Sequence, residues 1–126
     1  MGSISSPPNS WARGFIVSVT SRSAAGADLL VTDEACTRAW SVQVKATIKP
    51  TARAHGTYWL LNREARHLRA ASHVYVFISV RKEGAKFYVV PSRVVAKHVR
   101  VERWGAFTRY SFVKQERYRD AWHLLR

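Results

Sequence analysis

Carboxylates are scarce in this chain. Eight Asp and Glu stand against 21 Lys and Arg, leaving a formal net charge of +13 at pH 7. No Asp or Glu precedes Asp28. Such an imbalance excludes an acidic, self-solvating segment and favours a polyanionic partner. Nucleic acid is the first candidate, ahead of an anionic membrane surface or an acidic protein. A basic surface solvated by water alone is the plain alternative. Cysteine is almost absent as well: Cys36 is the single one, which excludes an internal disulfide and a cysteine-rich zinc site. In "DEACTR" it lies among acidic neighbours that oppose thiolate formation, so it makes a poor nucleophile. One cysteine and no hydrophobic leader in "MGSISSPPNS" fit a reducing cytoplasm. Long apolar runs are missing too. Runs such as "VYVFISV" are too short to cross a bilayer, and no membrane attachment is expected. The five histidines show no zinc-ligand spacing.

What is present is a core. Hydrophobic residues make up 47% of 126 residues, which suits one domain and opposes global disorder. Residues 1–10 read as a disordered or extended lead-in, since two adjacent prolines forbid a helix there. Residues 11–126 read as one domain. Five segments carry strand composition: "FIVSVTS", "DLLVTD", "AWSVQVKAT", "HVYVFISV" and "KFYVVP". The short link "EACTR" makes the second and third an antiparallel hairpin. "NREARHLRAAS" predicts a helix capped by Asn62, and "RVVAKHV" a helix capped by Ser92. In "QERYRDAWHLLR", Tyr118, Ala121, Trp122 and Leu125 recur at steps of three and four, predicting an amphipathic helix. Strands and helices that mix without alternating argue for an α/β sandwich on a mixed sheet.

One constellation bears chemistry. Gln43 and Lys45 are two apart on a strand and share a face. If the hairpin register brings Asp28 alongside, three polar groups converge. A carboxylate with amide or backbone carbonyl oxygens suits Mg²⁺, and a lysine beside them can stabilise phosphoryl charge. The same residues could equally be the polar face of an ordinary hairpin. Lys49, Arg53, Arg63 and Arg66 could line a phosphate track beside this site, or simply be solvated. Trp40, Trp59, Trp104 and Trp122, with Tyr58 and Tyr88, are expected mostly in the core, although exposed ones could stack bases.

"GADLLVTD…SVQVKA" resembles the signature of the PD-(D/E)XK nuclease superfamily: Asp, a gap, then Glu or Gln-x-Lys across a hairpin. "YVFISV…KFYVVPSRVVAKHV" and "YRDAWHLL" are similar to the second half of small bacterial members, so the resemblance spans roughly residues 12 to 126. It implies a restriction-endonuclease-like fold: a mixed sheet of about five strands flanked by helices, with the first helix truncated around "WARG". It implies an endonuclease using Mg²⁺ or Mn²⁺, with DNA expected ahead of RNA. By position Asp28 is the metal-binding aspartate, Gln43 stands at the acidic-ligand position, the Val44 carbonyl is a backbone ligand, and Lys45 is the catalytic lysine. The departures are an amide in place of a carboxylate at Gln43 and the lack of any upstream acid. They leave open a degenerate member that binds DNA or a protein without cutting. An assembly module that presents its basic face to an acidic protein is a third reading. A homodimer is also expected, because a shortened first helix would leave apolar sheet for a second copy to cover.

Overall fold

The dense β-branched and aromatic runs become strands, and so do three further segments. The structure, a computed structural model, describes residues 15–19, 28–47 and 57–125, with Val19 and Asp28 described by their backbone alone. In chain order the strands are β1 (Phe15–Val19), β2 (Asp28–Asp33), β3 (Ala39–Thr47), β4 (Tyr58–Leu61), β5 (His73–Arg81), β6 (Gly84–Pro91), β7 (Arg100–Trp104) and β8 (Phe107–Val113). The α-helix among the described residues is α1 (Ser92–His98).

The strands form two sheets. The larger has the order β1-β2-β3-β5-β6, and the smaller β4-β8-β7. In the larger sheet β3 and β5 are parallel and the other neighbours antiparallel. The expected mixed sheet of five strands is therefore present. Its flanks differ from expectation, because a second sheet occupies ground assigned to helices.

Pleating sends alternate residues to opposite faces, and each face of the larger sheet has its own core. On one face Val31, Trp40, Val42, Val74, Val76 and Val89 pack against Ala121, Trp122 and Leu125 of the C-terminal segment. On the other, Tyr75, Phe77, Tyr88 and Val90 meet Trp59 and Phe112 of the smaller sheet and Val95 of α1. Phe77 is the hub of the second core. Its ring centroid lies 4.9 Å from Trp59, 5.0 Å from Phe112 and 5.4 Å from Tyr75. The Trp59 indole N–H, buried with the ring, donates to the Ile78 carbonyl at 2.9 Å, so its polar edge carries no desolvation penalty.

Of three expected helices, one forms as α1 and two come out differently. Over 62–72 only a 3-10 turn, Arg63–Arg66, forms, and Asn62 precedes it without a side-chain cap bond. Helix propensity is high there, yet Ala65 is the single buried residue of that turn. A stretch with no apolar stripe to bury gains too little from packing to hold a long helix. The tail buries the expected Ala121, Trp122 and Leu125, but through 3-10 turns at Glu116–Tyr118 and Trp122–Leu124. Asp120 between them is left-handed (φ 52°) and gives its amide to the Phe87 carbonyl at 2.9 Å. The tail thus bonds to the edge of β6, which also shields that edge from foreign strands. Helix α1 starts at Ser92 itself, with Pro91 in the cap position. Buried Ser92 instead donates its hydroxyl to the Ala70 carbonyl at 2.7 Å and ties α1 to the β4–β5 connection. The lead-in at 1–10 and the shortened first helix at "WARG" lie outside the described residues.

Candidate functional site

The β2–β3 hairpin is built by its turn. Asp33 closes it: Oδ1 accepts the amide N–H of Thr37 at 2.7 Å and of Arg38 at 3.0 Å, and Oδ2 accepts the Thr37 hydroxyl. Cys36 takes the left-handed conformation (φ 57°) that the tight reversal needs, and its amide bonds the Asp33 carbonyl at 2.9 Å. The Thr37 hydroxyl first, then the amides of Arg38 and Thr37, hold the Asp33 carboxyl below its ordinary value of 3.8. Asp33 is thus a turn residue and takes no part in the candidate site.

A depressed pKa stabilises the fold above the unfolded value, and that contribution is lost as pH falls through the folded one. Asp33→Ala is therefore expected to lower the melting temperature at neutral pH. The gap to the parent should close as the pH drops below 3.8. Thermal melts of both proteins across that range check it, and a gap independent of pH would contradict it.

From that turn the register follows. Thr32 opposes Ala39, Leu30 opposes Ser41, and Asp28 opposes Gln43. Directly opposed residues are the closest cross-strand neighbours, so the hairpin brings the Asp28 and Gln43 positions together. Lys45 follows two residues on. On the other side of β3, Gln43 is beside Tyr75 and Lys45 beside Phe77. Gln43 and Lys45 therefore occupy the sheet face that carries the Trp59–Phe77 core, at that core's boundary. Both are half-buried. Toward β1 the same face opens to solvent, with Leu30 47% and Ile16 49% exposed. Burial pushes the neighbouring Tyr75 phenol up to about 12, so it stays neutral.

The described pairing of β3 with β2 runs to Gln43 and its pairing with β5 to Thr47, with Val44 beside Val76. Among the described residues neither the Gln43 nor the Lys45 side chain makes a hydrogen bond or ion pair. Nor does any group of three or more His, Cys, Asp and Glu gather to hold a metal ion among them. The donors at hand are one carboxylate position, one amide and one backbone carbonyl, all hard oxygens suited to Mg²⁺ or Mn²⁺.

The expected phosphate track is described in part. Arg63 and Arg66 lie exposed on the turn before β5, and the Arg66 guanidinium sits 5.9 Å from the Tyr110 ring centre. Lys49 and Arg53 fall outside the described residues. Of the aromatic candidates, Trp40, Trp59, Trp122 and Tyr88 are buried, and Trp104 is 61% exposed. Sequence reading missed the whole β7–β8 hairpin that carries Trp104. Its signal was present: two β-rich runs flank a Gly-Ala turn at 105 and 106, with Gly105 at φ +62°.

Comparison with protein-family models finds no match. Comparisons with curated proteins and with solved structures find none either. No helix among the described residues is long and apolar enough to cross a membrane.

Proposed function

We propose that this chain is a nucleic-acid-binding protein of the PD-(D/E)XK type. Its larger sheet would be the restriction-endonuclease-like core, and it would hydrolyse phosphodiester bonds with Mg²⁺ or Mn²⁺. The observation that carries the reading is the hairpin register, which sets Asp28 opposite Gln43 with Lys45 two residues beyond. The parallel return of β5 beside β3 supports it further, as does a net charge of +13 suited to a polyanion.

In this reading Asp28, the Gln43 amide oxygen and the Val44 carbonyl would hold the cation together with substrate phosphates. A bound divalent ion would acidify water and polarise the phosphoryl group. Lys45, half-buried against an aromatic core, offsets the charge that develops on phosphate oxygens. Arg63 and Arg66 contribute sequence-independent backbone contacts, joined by Lys49 and Arg53. With one carboxylate the cation is held weakly, so millimolar metal is expected to be needed.

Incubation with DNA and RNA of several shapes, with and without Mn²⁺, tests the proposal. Metal-dependent cleavage is the expected result. The second reading is binding without cleavage, favoured by the amide at Gln43 and by the lack of a described acidic cluster. It predicts salt-sensitive DNA binding with no metal uptake by calorimetry at millimolar Mn²⁺.

A further inference from the structure

The outer face of the smaller sheet has a composition that a solvated face does not need. Trp104 and Phe107 are directly opposed across β7 and β8, flank the Gly105–Ala106 turn, and are each 61% exposed. Leu60 on β4 is 56% exposed. By strand alternation these residues share the face opposite to Trp59 and Phe112, together with Tyr58 and Arg109. The Arg109 guanidinium lies 5.5 Å from the Tyr58 ring centre and 5.8 Å from that of Trp104. Glu102 fixes it there, accepting from Nη2 at 2.6 Å and Nε at 3.1 Å. The result is a cluster of rings on one sheet face around a guanidinium that Glu102 holds in place.

We propose that this face is a stacking platform for unpaired bases, so that single-stranded nucleic acid is the class of ligand that docks here. The inference rests on the nucleic-acid-binding reading above and deepens it. Exposed aromatic faces and an arginine plane attract splayed bases whatever their sequence. Duplex bases are already stacked on one another and offer no free faces. Charge favours the same occupant. By alternation Arg100 and Arg109 lie on this face with one acid, Glu102, which is 2.6 Å from Arg109 and 4.0 Å from Arg100. A second copy seated on this face would set arginines against arginines, whereas a phosphate backbone would complement them.

The test is a tryptophan-fluorescence titration at low salt, without divalent metal, with oligothymidylate of about a dozen nucleotides, within the usual span of single-strand sites. Trp104→Ala and Phe107→Ala are each expected to weaken binding about tenfold or more, the range of one lost base stack. Trp104→Phe should retain most of the affinity, and duplex DNA of equal length should bind less tightly than the single strand. Both side chains are largely exposed, so circular dichroism and urea midpoints should match the parent. Oligothymidylate binding that both alanine variants leave unchanged would overturn the platform and leave the nuclease-type reading standing. Absence of binding to either form of DNA would overturn both. A dimer in sedimentation that Trp104→Ala dissociates, without oligothymidylate binding, would assign the face to a second copy and overturn the inference.

Discussion

Phe77→Ala is expected to cost about 3–5 kcal/mol, the usual range for deleting a buried aromatic ring. Phe77 is fully buried and stacks on Tyr75, Trp59 and Phe112. These contacts join the larger sheet to the smaller one. Removing the ring leaves a cavity between two sheets whose backbones are fixed by their own ladders, so little collapse can fill it. Domains of this size have about 5–15 kcal/mol of stability in all, so the loss is a large share. Urea unfolding should show a lower midpoint with an unchanged slope. A shift under about 1 kcal/mol would mean that the sheets are not locked through this ring. The register also makes Phe77 the neighbour of Lys45, so the same substitution should loosen the seat of the candidate site.

Lys45→Ala is expected to lower metal-dependent phosphodiester cleavage by about 10²–10³-fold, the scale of losing one preorganised charge-stabilising group. The fall should appear in kcat with KM changed little, because the interaction strengthens as charge develops. A half-buried lysine engaged in no described ion pair leaves no orphaned buried charge when it is removed. The urea midpoint should therefore stay within about 1 kcal/mol of the parent. Single-turnover assays on a substrate cut by the parent protein give the comparison. Cleavage that survives the substitution would remove this site from the reaction.

The larger sheet was legible because its five strands are β-rich and bounded by turn residues. The hairpin followed from a short link, while its register, which alternation does not fix, is set by the Asp33 turn. The smaller sheet was less legible. β4 is four residues long, and its pairs with β8, from Tyr58 with Val113 to Leu61 with Tyr110, are far apart in sequence, which local pattern cannot reveal. The predicted helices at 62–72 and in the tail failed for a common reason. Propensity and spacing were read without knowing what each segment would pack on. The tail kept its buried residues and changed its backbone, since the edge of β6 offered Asp120 a hydrogen-bond partner.

The candidate site divides in the same way. Gln43 and Lys45 share a face by parity alone, and the sequence shows that directly. That the face also holds the Trp59–Phe77 core, leaving Lys45 at its edge, depends on which strand lies beside β3. That neighbour is β5, reached only after a long crossover. Asp33 belongs to the turn, and its role in closing it is visible only in the Thr37 and Arg38 bonds.

The site reading stands or falls on whether Asp28 holds a cation. Calorimetric titration of Mn²⁺ into the parent protein and Asp28→Asn, side by side, measures this directly. The account predicts one weak site at millimolar metal in the parent and none in the variant. Equal heats in the two proteins, or no binding in either, would contradict it.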